Sequence, residues 1–184
     1  MKKIILVHGW EGNPNKDWFQ WLKHELEAKN FQVFIPTMPD TMNPKKDAWV
    51  SHLVKTIGIP DEETYFVGHS LGCITILRYL ETLQKNQKIG GAVFVAGFSH
   101  NLEYEGYKDE LLSFFEAPIR WEEIKKHCNK FIAIHSTDDP YVPVKHSKIF
   151  EEKLNAESII QQDMGHYNGK EYPVILEALV RITS

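Results

Sequence analysis

The sequence predicts an α/β fold in which about six mainly parallel strands form one sheet with helices on both faces. Three observations predict it. Short β-branched runs alternate with apolar 3.6-residue periodicities six times. The connections between them are brief, which favours right-handed βαβ units. Several strands also run directly into glycine-containing loops, and ligands of such sheets bind outside the carboxyl ends of the strands.

Lys3 to Val7 reads as the first strand, ending at His8-Gly9-Trp10-Glu11-Gly12 and a polar turn through Asn13-Pro14-Asn15. Trp18, Phe19, Leu22 and Leu26 recur at helical spacing, and this helix is expected to stop near Asn30. Phe31 to Ile35 is the second strand, closed by Pro36 and Pro39. Asn43-Pro44 reads as an N-cap and a proline in first helical position, ahead of Trp49, Val50, Leu53, Val54 and Ile57. Pro60-Asp61 turns the chain into a third strand at Thr64.

That strand feeds Gly68-His69-Ser70-Leu71-Gly72, and Cys73, Ile74, Ile76, Leu77, Leu80 and Leu83 then read as a largely buried helix. Ala92 to Ala96 is a short continuous apolar strand, suited to burial on both faces. Residues from Ser99 to about Pro118 break the rhythm, with Tyr104, Tyr107, Leu111, Leu112, Phe114 and Phe115 among acids, and suggest a short excursion over the site. A helix over Trp121 to Cys128, a strand over Phe131 to Ser136 and a helix carrying Val144, Ile149, Phe150 and Leu154 follow. Ser158 to Gln161 is the last strand, and Ile175, Leu176, Leu179 and Val180 mark a terminal helix.

At 184 residues the chain fits a single domain spanning 1–184, with no internal repeat, linker or low-complexity tract. A net charge of −4, with basic residues spread out, gives no electrostatic reason to expect nucleic acid. The four apolar residues before His8 are too few for a secretory h-region of about 7 to 15 residues. No run approaches the ~18 apolar residues of a membrane span. Cys73 and Cys128 lack metal-ligand or C-x-x-C spacing and read as buried reduced thiols, so a cytoplasmic location is expected.

Gly68 to Gly72 is a G-x-S-x-G nucleophile elbow, in which glycines let a strand turn sharply into a helix and leave the serine exposed at the strand end. Ser70, Asp139 and His166 each follow a predicted strand, so all three are expected on one sheet edge. Their chain order, Ser then Asp then His, is that of α/β-hydrolases. A serine hydroxyl needs a base, here His166, and a carboxylate to fix the imidazole tautomer. Asp139 is favoured for that carboxylate because it begins a D-x-x-V-P pattern, with Asp138 as the alternative. His24, His52, His127 and His146 read as helix-surface residues, and His8, His69 and His135 as hydrogen-bonded structural ones. His100 is a further candidate to line the site. The backbone N–H groups of Leu71 and Trp10 are the expected oxyanion donors. Phe98, Phe114, Phe115, Trp121 and Tyr141 fall near strand ends and are candidates to wall a substrate pocket. Metalloprotease, P-loop, dinucleotide and calcium-loop motifs do not occur, and no metal or cofactor is expected.

H-G-W-x-G near the start, G-H-S-L-G at the elbow, P-I-R-W-E-E-I from Pro118 to Ile124, S-T-D-D-P-Y-V-P and a late G-H together resemble the small serine hydrolases related to retinoblastoma-binding protein nine and the bacterial YdeN-like proteins. The similarity extends over nearly the whole chain. It implies a compact α/β-hydrolase fold without a large cap domain, and a catalytic set at Ser70, Asp139 and His166. The expected function is an esterase-like hydrolysis of small acyl substrates (esters, thioesters or amides) through an acyl-enzyme, with peptidase activity as a variant. The rival expectation is a binding module on a hydrolase scaffold. One animal member is linked to a protein partner through an L-x-C-x-E motif, which is absent here, so that partner is not carried over.

Overall fold

The structure is a computed structural model that describes residues 1–102 and 109–184. Tyr104 and Tyr107 of the expected excursion therefore lie outside the described residues. The elements, in order, are β1 (Lys3–Val7), α1 (Phe19–Glu27), β2 (Gln32–Phe34), α2 (Lys46–Ile57), β3 (Thr64–His69), α3 (Leu71–Leu80), β4 (Gly91–Val95), α4 (Trp121–His127), β5 (Phe131–Ser136), α5 (Lys145–Leu154), β6 (Glu157–Gln161) and α6 (Pro173–Thr183). A short 3-10 turn at Leu112–Phe114 lies between β4 and α4.

The six strands form one sheet in the order β2-β1-β3-β4-β5-β6, and every pairing is parallel. Alternation along the strands sends Ile4, Leu6, Tyr65, Val67, Val93 and Val95 to one face, where they pack on α1 and α6 through Phe19, Leu22, Ile175 and Leu179. Ile5, Val7, Phe66 and Phe94 face the other way, toward α2, α3, α4 and α5. Helix α3 is buried at all ten positions. Its Ile74, Ile76, Leu77 and Leu80 each contribute roughly 1.5–3 kcal/mol of burial.

The order of the strands sets the position of the site. From β1 the chain first moves outward to β2, then crosses back to β3 on the opposite side of β1. The crevice at this reversal lies beyond Val7 and Gly68, which pair in register, so the loops after β1 and β3 meet there.

Three local expectations are corrected. Helix α2 starts at Lys46 with an extended Lys45 before it, not at Asn43-Pro44. The Asn43 N–H instead closes a turn on the Asp40 carbonyl at 3.0 Å, while the Lys46 N–H donates to Ser113 Oγ at 3.1 Å. A distant side chain thus serves the helix end in place of a local cap. Helix α3 stops before Leu83, at the point where Arg78 turns onto Glu81 with Nη1 3.0 Å from Oε2. Arg78 is 6% exposed and also donates from Nε and Nη2 to the Phe114 carbonyl at 2.9 and 2.8 Å, tying the 3-10 turn to α3. Finally, His127 and His146 are buried: His127 Nδ1 donates to the Gln87 carbonyl at 2.8 Å, and the His146 ring packs against Phe98 and His100.

Candidate active site

Ser70 sits between β3 and α3 with φ 52° and ψ −118°, a conformation L-residues rarely adopt. The turn is held by the Ser70 N–H, which donates to the Val95 carbonyl at 2.9 Å. Its flanking glycines are required for close approach. A Cβ on Gly72 would lie 2.1 Å from the Val7 carbonyl oxygen, and one on Gly68 would lie 2.7 Å from the Cys73 nitrogen. The helix can pack this tightly on the strands only because those side chains are absent.

Asp139 and His166 emerge beyond β5 and β6. His166 Nδ1 donates to Asp139 Oδ2 at 2.8 Å, and the Asp139 side chain is 1% exposed. Oδ1 of the same carboxylate accepts the Tyr141 and Val142 N–H groups at 2.9 and 3.0 Å. These bonds fix the carboxylate plane and explain the D-x-x-V-P spacing. With Nδ1 donating, the neutral ring carries its lone pair on Nε2. Asp138 points elsewhere: it accepts the Ser136 hydroxyl and the Gly165 N–H.

Three further histidines shape the surroundings. His69 Nε2 donates to the His166 carbonyl at 2.8 Å, and the two rings lie 5.0 Å apart. Burial, then the nearby His166, pushes the His69 pKa down to about 3, so this ring is neutral. His8 bridges the loop after β1, with Nδ1 donating to the Gly9 carbonyl at 3.0 Å and Nε2 accepting the Met38 N–H at 3.3 Å. Burial lowers its pKa as well. His135 Nε2 donates to the Gly97 carbonyl at 2.8 Å. These three hydrogen-bonded positions agree with the sequence expectation.

The loop after β1 lies against the serine: a Cβ on Gly9 would be 3.0 Å from Ser70 Cβ and 3.6 Å from Oγ. Trp10 is anchored by its indole N–H on the Met42 carbonyl at 3.2 Å, and the Glu11 N–H donates to the Thr41 carbonyl at 3.0 Å. Leu71 is the first residue of α3, where a helix N–H has no intrahelical acceptor and the dipole favours negative charge.

Ser70, His166, Trp10 and Leu71 all line one cavity of about 170 Å³, together with Phe98 and Tyr141. The Tyr141 ring stands edge-on to His166 at 5.1 Å. Phe114, Phe115 and Trp121 are not among its lining residues. Phe114 is fully buried with its ring against Trp49, Phe115 backs Phe98 from behind at 5.8 Å, and Trp121 packs edge-on to Phe150. Aromatic character near a strand end does not distinguish a wall from the layer supporting it.

Leu102, Leu111 and a polar rim including Lys16, Asp17 and Asn168 complete the lining. Sequence reasoning missed these residues because they sit on irregular loops with no periodicity to orient them. The available signal was position: Lys16 and Asp17 follow the first strand, Asn168 follows the sixth, and Leu102 and Leu111 fall in the segment from Ser99 to Pro118 expected over the site. Burial raises the Asp17 pKa, opposed by Lys16.

The arrangement brings a hydroxyl, an imidazole bonded through Nδ1 to a carboxylate, and two residues whose backbone N–H groups are candidate donors to one cavity. A model of the serine hydrolase family matches residues 4–175. The chain is 33% identical over 166 residues to YdeN of Bacillus subtilis (strain 168), a protein named as a hydrolase, covering 90% of this chain and 86% of that one. It is 28% identical over 180 residues to the serine hydrolase RBBP9 of Rattus norvegicus, covering 96% and 93%. The crystal structure of the ydeN gene product superposes with a TM-score of 0.89 at 30% identity, covering 99% and 98% of the two chains. With its compact α/β-hydrolase fold, the chain belongs to the serine hydrolase family.

Proposed function

We propose that the chain hydrolyses small esters, thioesters or amides through an acyl-enzyme formed on Ser70, with His166 as general base and acid and Asp139 orienting it. The observation that supports this most is the 2.8 Å bond from His166 Nδ1 to Asp139 Oδ2, made by a ring that lines the same cavity as Ser70.

In the first half-reaction His166 Nε2 takes the Ser70 proton as Oγ attacks the acyl carbon. The imidazolium that forms is stabilised by Asp139, which keeps its own charge. The negative oxygen of the tetrahedral intermediate is met by the backbone N–H groups of Leu71 and Trp10, each worth about 2.7 to 4 kcal/mol of transition-state stabilisation. His166 then gives its proton to the departing alcohol, thiol or amine. In the second half-reaction water replaces the leaving group, His166 takes one of its protons, and Ser70 is regenerated when that proton returns to Oγ.

Phe98, Leu102 and Leu111 are apolar lining residues suited to an acyl group, and Lys16, Asp17 and Asn168 are polar lining residues suited to polar substituents. Esters are the expected favoured substrates, since the alcohol is the better leaving group, with amide cleavage as the harder variant of the same chemistry. The test is a panel of p-nitrophenyl acyl esters and aminoacyl amides assayed with wild type and Ser70→Ala. Turnover by wild type that Ser70→Ala abolishes supports the proposal. Equal turnover by both contradicts it, and ligand-induced stabilisation with no turnover of any panel member favours a binding role.

A further inference from the structure

The residue beside the orienting carboxylate carries a second set of bonds. Ser136, the last residue of β5, is fully buried, and its hydroxyl donates to Asp138 Oδ1 while accepting the Met164 N–H at 3.2 Å. Asp138 in turn accepts the Gly165 N–H, at 3.2 Å on Oδ1 and 3.3 Å on Oδ2. The N–H groups of the two residues before His166 are therefore both held by one Ser–Asp pair. On the other side, His69 holds the His166 carbonyl and the Trp18 indole N–H donates to the Tyr167 carbonyl at 2.9 Å.

This loop needs such anchors. Asp163, Gly165 and Tyr167 all have positive φ, at 59°, 54° and 55°. Three left-handed residues out of five are not a conformation the chain maintains unaided. We propose that Asp138 is a positioning residue, which with Ser136 clamps the Met164-Gly165 backbone and so aims the His166 ring at Ser70. The proposal rests on the reading of His166 as general base. Asp138 does not replace Asp139: one carboxylate orients the ring, the other orients the backbone that carries it. The Ser136 hydroxyl, followed by the Gly165 N–H, holds the Asp138 carboxyl below the usual carboxylate range.

The experiment compares Asp138→Ala with Asp138→Asn, whose amide oxygen can accept the same two bonds. Misplacing the base by about an ångström predicts that Asp138→Ala loses about 10- to 100-fold in kcat on a p-nitrophenyl ester with KM nearly unchanged. Asp138→Asn recovers most of that loss. Wild-type kcat in Asp138→Ala, equal losses in both variants, or a loss confined to KM would overturn the proposal. Backbone amide hydrogen exchange at Met164 and Gly165 gives a reading independent of turnover. It accelerates in Asp138→Ala and not in Asp138→Asn if the clamp exists, and unchanged exchange overturns the proposal. Ser70→Ala in the same assay separates the two ideas, since activity that survives it refutes the acyl-enzyme reading while the exchange result still decides the clamp.

Discussion

Asp139 and His166, 27 residues apart on successive strand ends, are joined by a 2.8 Å bond from ring Nδ1 to a carboxylate whose other oxygen is already held by two backbone N–H groups. The pair is rigid because the carboxylate cannot rotate without breaking those N–H bonds. That bond selects the tautomer whose lone pair lies on Nε2.

The first prediction concerns this bond. Asp139→Asn keeps the two N–H bonds through its amide oxygen but presents an NH₂ group to His166, favouring the wrong tautomer. Its kcat is expected to fall by about 10⁴-fold with little change in stability. Steady-state kinetics alongside a thermal melt check this. Asp138→Asn, measured in parallel, is expected to remain near wild type.

Glycine at position 72 is required by space. Gly72→Ala would drive a methyl group into the Val7 carbonyl, which belongs to a central strand of a buried sheet and cannot move aside. The expected cost is at least about 1–3 kcal/mol of stability, the range for overpacking a filled interior. Denaturant unfolding measures it, and a midpoint equal to wild type would refute this account of the elbow.

The third prediction is a pH dependence. His146 is buried on α5 against His100, with ring centroids 4.3 Å apart. Burial, then the neighbouring His100 and His135, pushes its pKa down from 6.5 to about 3. Between those values the unfolded chain binds the proton and the folded chain does not. Stability is therefore fully present above about pH 6.5 and declines as pH falls toward 3, by at most about 1.4 kcal/mol per pH unit for this group. His69 adds a slope of the same sign over the same range. His146→Leu, which cannot titrate, is expected to show a shallower decline in unfolding free energy between pH 6.5 and 4. An unchanged slope would mean that His146 is not held neutral.

Much of the fold is legible in the sequence because each strand or helix carries its own period. Lys3 to Val7 and Phe131 to Ser136 are recovered without error, and the remaining strands to within one or two residues at either end. The misread boundaries are those decided by distant partners. Ser113 supplies the acceptor at the start of α2, and the Phe114 carbonyl holds Arg78 near the end of α3. His127 and His146 read as surface residues because a lone polar residue on a helix usually is one, yet both are buried. At the site, Ser70, Asp139 and His166 are legible from motif and strand order. The pocket wall is not: Phe98 and Phe115 look equivalent in sequence, and only packing puts Phe98 on the cavity and Phe115 behind it. Among the described residues no helix is long and apolar enough to cross a membrane.

The most direct measurement is the site of reaction with a fluorophosphonate probe, read by mass spectrometry of the digested protein. A single stoichiometric adduct on the peptide carrying Ser70, slowed in His166→Ala and absent in Ser70→Ala, is the predicted result. A wild-type protein that stays unlabelled, or an adduct on a different residue that persists in Ser70→Ala, would contradict the assignment of Ser70 as the activated nucleophile.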